Sequence, residues 1–371
     1  MRVGINTRFL IKGKMEGFGW YSYEIVKRLV QNHPEHTFYF YFDRPYDDEF
    51  LFGENVVPIV LSPKARHPIL FLYWFEWKLK RAMKKHKIDL LFSTDGYAVL
   101  GSSVPQILTI HDINFEHNPE DLPLSARLYL RYFFSKFAKK AKKILTVSDY
   151  SKGDIGKTYG ISNNKIVSVW NGASEVFQPI PENEKVKVRH LRSGGHEYFL
   201  FVGSLHPRKN ITRLIEAYNS YLDEVKDPYH LVIVGEQLWK NNAEKIPLND
   251  KSKSRVHFTG HLPLIDLAET MAAASVFTYV PYFEGFGIPL VEAMKCGVPI
   301  VSGDKTSLPE VAGDAALYCD PFDVNSIKQS LVKVSEDAVL REELSAKSLE
   351  RGQLFSWDKA AKEVSQVLFN D

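Results

Sequence analysis

Phe199-Leu-Phe-Val-Gly-Ser-Leu-His-Pro-Arg-Lys-Asn210 opens on four apolar residues, breaks at a glycine, and passes through a polar turn into a stretch with Leu214, Ala217 and Tyr218 at helical spacing. A short apolar run followed by a 3.6-residue period reads as strand, turn and helix, and a chain of such units folds around a mostly parallel sheet buried on both faces. The strand character recurs downstream at Leu231-Val-Ile-Val-Gly235, Val256-His-Phe-Thr-Gly260, Val276-Phe-Thr-Tyr-Val280, Pro299-Ile-Val-Ser302 and Ala316-Leu-Tyr-Cys319. Several of these runs end in glycine, which suits a tight turn or a close ligand approach at a strand's C-terminal end. In open α/β sheets ligands bind at that end.

The same rhythm runs through the first half. Strand patterns fall at Val3-Gly-Ile5, Thr37-Phe-Tyr-Phe-Tyr-Phe42, Val57-Pro-Ile-Val-Leu61, Asp89-Leu-Leu-Phe-Ser93, Gln106-Ile-Leu-Thr-Ile110, Ile144-Leu-Thr-Val-Ser148 and Ile166-Val-Ser-Val-Trp170. Helical patterns lie between some of them, from Gly19 to Gln31 and from Ser125 to Lys142. Asn171-Gly-Ala-Ser174 then leads into a polar, strand-poor run with Pro179 and Pro181 that ends at Gly194-Gly195, which reads as a linker. A chain of 371 residues suits two domains. The expected fold is α/β: two Rossmann-like doubly wound domains facing across a cleft, divided at 178/179, with the second ending near 356.

Composition narrows the function classes. The chain is 44% hydrophobic and 25% charged, a soluble globular balance without a run approaching the roughly 20 apolar residues that span a bilayer. Met1-Arg-Val-Gly-Ile-Asn6 is a strand pattern and not a signal peptide, and Cys296 and Cys319 lack metal-ligand or disulfide spacing, so a reducing cytoplasm is expected. Residues 1–175 hold 25 Lys and Arg against 18 Asp and Glu, and the remainder 22 against 27. The basic residues cluster at Lys78-Leu-Lys-Arg-Ala-Met-Lys-Lys-His-Lys87 and Lys136-Phe-Ala-Lys-Lys-Ala-Lys-Lys143. They read as solvated helical faces or as a surface for an anionic membrane leaflet or acidic acceptor; a nucleic-acid partner is not expected. Ile69-Leu-Phe-Leu-Tyr-Trp-Phe-Glu-Trp77 is too short to span a membrane and reads as the start of a buried helix.

Five segments carry candidate chemistry. Glu284-Gly-Phe-Gly-Ile-Pro-Leu-Val-Glu292 sets two carboxylates eight positions apart, with Gly285 and Gly287 permitting close backbone approach and Pro289 suited to a first helical turn. Free N–H groups at a helix start beside two carboxylates suit a hydroxyl-rich ligand such as a ribose or a hexose. Arg208 and Lys209 follow a strand, with Asn210 as an expected N-cap, so charge and helix dipole favour an anion such as a diphosphate. Ser307-Leu-Pro-Glu310 is a capping-box pattern whose amides reach a ligand if this strand end lies beside the others. Gly17-Phe-Gly19 opens the first long helix, and His111-Asp112 follows the strand at Gln106. The glycines serve either turn chemistry or phosphate contact, and His111 either bonds a sugar hydroxyl or orders its own loop. No Asp-x-Asp pattern, His/Cys ligand cluster or complete P-loop stands out by spacing.

Taken together, the Glu-x7-Glu segment, the Gly-Ser-x-x-Pro-Arg-Lys-Asn turn, the early Gly-x-Gly helix, His111-Asp112 and the tail Phe355-Ser-Trp-Asp-Lys-Ala-Ala361 resemble the retaining GT-B glycosyltransferases of the family 4 type. The similarity spans the chain and is densest from Phe199 to Pro321. It implies a final helix, 357–371, that crosses back onto the N-terminal domain, and a nucleotide-sugar donor held mainly by the C-terminal domain. Arg208 and Lys209 would grip the diphosphate, Glu292 the ribose hydroxyls, and Glu284 with the amides of Phe286, Gly287 and Ile288 the transferred sugar. The segment from Val256 would pack on the base, Ser307 would join the donor site, and Gly17, Gly19 and His111 would close over the donor from the N-terminal side. The resemblance further implies retention of configuration, no metal and no cofactor, and a saccharide or lipid-linked acceptor. The segment Ser307 to Ala316 resembles mannosyltransferases that use GDP-mannose.

The runner-up is a nicotinamide-dependent oxidoreductase, since Asp43 follows Gly17-x-Gly19 at roughly the Rossmann spacing. It is weakened by about ten residues between the first strand and Gly17, and by Ser22 at the third glycine position. A sugar-nucleotide epimerase, a glycoside phosphorylase and a non-catalytic sugar-binding protein are further alternatives.

Overall fold

Apolar runs of four to six residues become strands here because both faces are covered. In β8 (Tyr198–Val202) and β9 (His230–Val234) every residue is buried, as expected for central strands of a parallel sheet. A computed structural model describes the chain except for residues 14, 16, 66, 205, 236–245 and 371. Among the described residues the chain divides into two units: Met1–Asn171 with Trp357–Asp371, and Gly172–Ser356. The division lies at 171/172 rather than 178/179.

Unit 1 holds β1 (Arg2–Asn6), β2 (Thr37–Phe42), β3 (Val56–Val60), β4 (Leu90–Ser93), β5 (Gln106–Thr109), β6 (Lys143–Thr146) and β7 (Ile166–Ser168), in the order β3-β2-β1-β4-β5-β6-β7. Every pairing is parallel, with Gly4 opposite Tyr39 on one side and Leu91 on the other. Pro58 sits in β3, an edge strand, where a missing N–H is tolerated. The Gly17–Asn32 helix buries Tyr21, Ile25, Val26 and Leu29 and packs against the terminal Trp357–Phe369 helix.

Unit 2 repeats the plan with β8, β9, β10 (Val256–Gly260), β11 (Val276–Tyr279), β12 (Ile300–Gly303) and β13 (Ala316–Cys319) in the order β10-β9-β8-β11-β12-β13, again all parallel. Each sheet therefore reverses its winding beside its first strand, between β1 and β4 and between β8 and β11. Such switch points open a crevice at the carboxyl ends of the strands.

Three expectations change. The polar run read as a linker contains the helix Glu182–Ser193, stopped by Gly194 in the left-handed region at φ 68°. Its anchors are polar: Arg189 donates to the Ala273 carbonyl at 3.2 Å and Arg192 to the Thr270 hydroxyl at 3.1 Å, so no apolar period marks it. The aromatic segment is one helical run, Pro68–Tyr73, a π turn at Trp74–Leu79, and Lys80–His86. Only part of it is buried: Trp74 and Phe75 face the core, whereas Ile69, Tyr73 and Trp77 are exposed. At Gly235 (φ 145°) the close approach is to protein, since a Cβ there would stand 1.9 Å from the Gly203 carbonyl oxygen. Among the described residues no helix is long and apolar enough to cross a membrane.

Candidate active site

The turn after β8 carries Arg208 and Lys209 on a single 3-10 turn, Pro207–Lys209. The loop after β11 carries Glu284, and the turn after β12 carries Thr306 and Ser307. All three loops leave carboxyl ends of adjacent strands, so the switch point of unit 2 gathers residues nearly a hundred positions apart. Arg208 Nη1 lies 3.2 Å and Lys209 Nζ 2.6 Å from Glu284 Oε1. Lys209 also donates to the Tyr279 hydroxyl at 2.6 Å, and Arg208 to the Phe283 carbonyl at 3.3 Å. Two cations thus share one carboxylate, and the cluster keeps net positive charge where a helix N-terminus adds more.

Burial alone would raise the Glu284 carboxyl, but Arg208 and Lys209 outweigh it and hold it below the usual range. The Tyr279 phenol is pushed well up by burial and by the Glu284 charge, so it stays neutral. Glu292 lies inside the Ile288–Lys295 helix, and among the described residues no cation pairs with it. Burial pushes its carboxyl up to about 7, which lets it donate as well as accept a hydrogen bond near neutral pH.

Backbone geometry locks the acidic loop. The Glu284 N–H donates to Thr306 Oγ1 at 3.2 Å, and Ser307 Oγ donates to the Glu284 carbonyl at 2.9 Å. The Ser307 side chain therefore makes no capping box, and it spans two loops instead of starting its own helix. Thr306 reaches its position at φ 58°, a conformation unfavourable for a β-branched residue. Gly287 takes φ 92° at the N-cap of Ile288–Lys295, where a Cβ would press on Leu308 at 3.2 Å. Behind it Phe286 is buried, and Ile288 opens the helix whose first N–H groups have no intrahelical acceptor.

Asn210 also departs from expectation. It sits at the N-cap position but in a left-handed conformation without a capping bond. Its Nδ2 donates to the carbonyls of Val280 at 2.9 Å and Pro321 at 2.7 Å, tying the cationic turn to the loops after β11 and β13. Val256 does not join the cluster. It begins β10, pairs with Leu231 and packs in the core; Gly260 stands at the strand's carboxyl end.

In unit 1, Gly17 and Gly19 begin the first long helix, and a Cβ on Gly19 would meet the Phe9 carbonyl oxygen and Met15 Cβ at 3.0 Å. Close packing of the chain therefore accounts for Gly19. His111 is buried, donates through Nε2 to the Thr94 carbonyl at 2.9 Å, and has ring contacts with Phe18 at 4.7 Å and Tyr21 at 4.6 Å. Burial lowers its pKa, so it stays neutral and offers Nδ1 as an acceptor. Asp112 accepts from the Asn114 amide at 3.0 Å. The Gly-x-Gly turn and His111 thus form a second cluster within unit 1.

Asp43 does not serve a dinucleotide ribose. Arg44 contacts its Oδ1 at 2.6 Å and its Oδ2 at 2.9 Å, and the Ala65 amide donates to that Oδ2 at 2.9 Å. Three participants escaped sequence reading: Tyr279, Thr306 and the inter-loop role of Asn210. Tyr279 reads as an ordinary strand residue, and the segment from Ser302 to Ser307 has no legible pattern.

Residues 182–351 match the family model for glycosyl transferases group 1, and residues 15–175 match that for Glycosyltransferase Family 4. The chain is 29% identical over 360 residues to O-antigen chain mannosyltransferase B of Escherichia coli, covering 94% of each. It is 26% identical to O-antigen chain mannosyltransferase RfbU of Salmonella typhimurium, covering 77% of each. Among solved structures, HepE of Anabaena in complex with UDP superposes with a TM-score of 0.77 at 18% identity, covering 100% of both chains. The fold is that of GT-B glycosyltransferases.

Proposed function

The chain belongs to the glycosyltransferases that these two family models describe, and from that premise we propose that it transfers a mannosyl group from GDP-mannose to a saccharide or lipid-linked saccharide, with retention at the anomeric carbon and without a metal. The observation that carries this reading is the convergence of Arg208 and Lys209 on Glu284 at the switch point of unit 2. Paired cations suit a diphosphate whose negative charge grows as the bond to the sugar breaks. Glu284, held anionic, suits acceptance from sugar hydroxyls, and Glu292 suits a ribose diol. In the transfer, the acceptor oxygen bonds to the anomeric carbon, the bond to the diphosphate breaks, and the acceptor proton passes to a diphosphate oxygen. Arg208 and Lys209 supply the charge stabilisation that a divalent ion supplies elsewhere. The mannosyl assignment rests on the two mannosyltransferase relatives.

The reading includes a cytoplasmic enzyme resting on an anionic membrane. It is supported by Ile69, Tyr73 and Trp77, exposed at four-residue spacing on one helical run, and by Leu124, Leu128 and Tyr132 exposed likewise on the Leu124–Lys140 helix. The Phe71 and Tyr129 rings, 5.7 Å apart, join the two helices. A cation lies over each exposed ring: Lys78 over Tyr73, Arg81 over Trp77 and Lys136 over Tyr132. Apolar side chains flanked by cations suit the headgroup boundary of a negatively charged leaflet.

Thermal stabilisation by a panel of nucleotide sugars tests the donor. A ligand at 100 times its Kd adds about 2.7 kcal/mol, and GDP-mannose is expected to exceed UDP-glucose, UDP-galactose and NAD. Stabilisation by NAD alone, or by none of them, overturns the reading. Product release that requires inorganic phosphate points to a phosphorylase. NMR of the first-formed anomer decides retention, and turnover in excess chelator decides the metal question.

A further inference from the structure

His33-Pro-Glu-His36 turns the chain from the Gly17–Asn32 helix into β2, at the amino end of the unit 1 sheet and on the far side from the strand ends that carry His111. The spacing did not single it out, yet the turn folds three donor atoms together. His33 Nδ1 lies 3.1 Å from Glu35 Oε1, and His36 Nε2 lies 3.6 Å from the same oxygen. All three atoms lie within 4.8 Å of one another, which holds for no other group of three His, Cys, Asp or Glu among the described residues.

Two imidazoles and a carboxylate are a zinc donor set, and bonds of about 2.0–2.2 Å in a tetrahedron put ligand atoms roughly 3.3–3.6 Å apart. The two separations from Glu35, 3.1 and 3.6 Å, lie at or near that range, and the third lies within 4.8 Å. The outer surroundings point the same way. His33 Nε2 lies 2.6 Å from the Ser365 hydroxyl, which leaves its Nδ1 lone pair toward Glu35 when Nε2 is the donor. Phe369 packs on both rings, with centroids at 4.7 Å from His33 and 4.6 Å from His36.

We propose that His33, Glu35 and His36 bind a zinc-class divalent ion that fastens the terminal Trp357–Phe369 helix to the His33–His36 turn of unit 1. Ser365 and Phe369, both on that helix, are the points of attachment. The ion has no part in the transfer reaction, and the inference stands whether or not the donor is GDP-mannose.

The test uses the full-length, untagged chain, stripped with chelator and titrated with zinc against an indicator dye. The expected result is one equivalent bound by wild type and lost in His33→Ala and in Glu35→Gln, the latter a change at an exposed side chain. Ser365→Ala is expected to weaken it by about 10–100-fold, the usual effect of removing an outer hydrogen bond. Zinc is further expected to slow deuterium exchange in residues 357–369 of the wild type only, with transferase turnover unchanged by chelation below the melting temperature. Zinc binding equal in wild type and Glu35→Gln overturns the site, and bound zinc without slower exchange in the terminal helix overturns the fastening role.

Discussion

Lys209 has 9% of its surface exposed, and its ammonium group is met there by Glu284 at 2.6 Å and the Tyr279 hydroxyl at 2.6 Å. Removing Lys209 leaves Glu284 with Arg208 alone, so the cost falls below the roughly 3–5 kcal/mol of stranding a buried charge outright. Lys209→Met is therefore expected to lower both stability and turnover, the latter on the order of 10²–10³-fold. Lys209→Met combined with Glu284→Gln should recover stability in chemical denaturation without recovering turnover. Recovery of turnover would remove Lys209 from the reaction. Glu292 gives a prediction of opposite sign. Its folded carboxyl keeps its proton to about 7, against 4.5 for the ordinary group. Its contribution is thus fully present below pH 4.5 and lost as pH rises through 7. Melting temperatures of wild type and Glu292→Gln are expected to diverge across that window, with wild type losing more. Parallel curves from pH 4 to 8 would show that the carboxyl titrates normally.

At the scale of elements, the glycines that follow β8 and β9 lie so close that a side chain on Gly235 has no room. Gly235→Ala places a methyl 1.9 Å from the Gly203 oxygen, so the strand ends must separate. The expected loss is roughly 3 kcal/mol or more, read from denaturant midpoints. The strands themselves were legible because central positions of a parallel sheet are apolar on both faces, as in Phe199-Leu-Phe-Val202. The Glu182–Ser193 helix was not, because arginine hydrogen bonds to neighbouring carbonyl and hydroxyl groups replace an apolar stripe. Ser307 shows a third case. Its pattern fits a capping box, but a buried carbonyl at Glu284 competes for the same hydroxyl and wins.

For the whole molecule, the last helix belongs to unit 1 although the chain reaches it from unit 2. Arg28 bonds Asp358 at 2.5 Å, and Tyr21 meets Trp357 with ring centroids 6.3 Å apart. Deleting residues 357–371 is expected to speed deuterium exchange in Gly17–Asn32 while β8 and β9 keep their protection. Equal acceleration in both units would contradict the division. The exposed stripes predict sedimentation with phosphatidylglycerol vesicles at low salt, weakened by Trp77→Ser with Leu128→Ser and by salt, and little with phosphatidylcholine. Sedimentation unaffected by that pair of changes would remove this face from the membrane reading. The charged half of the candidate site was readable in sequence because Arg208, Lys209, Glu284 and Glu292 sit in short patterned segments. Tyr279 and Thr306 were not, because only strand order brings them to the same place. The π turn at Trp74–Leu79 has a final consequence. It amounts to one surplus residue absorbed within a helix, so excising any one of the six would restore ordinary winding and leave the downstream lysines facing much as before. A lineage that lost a single codon here would therefore keep the same cationic face, with hardly a change in overall composition.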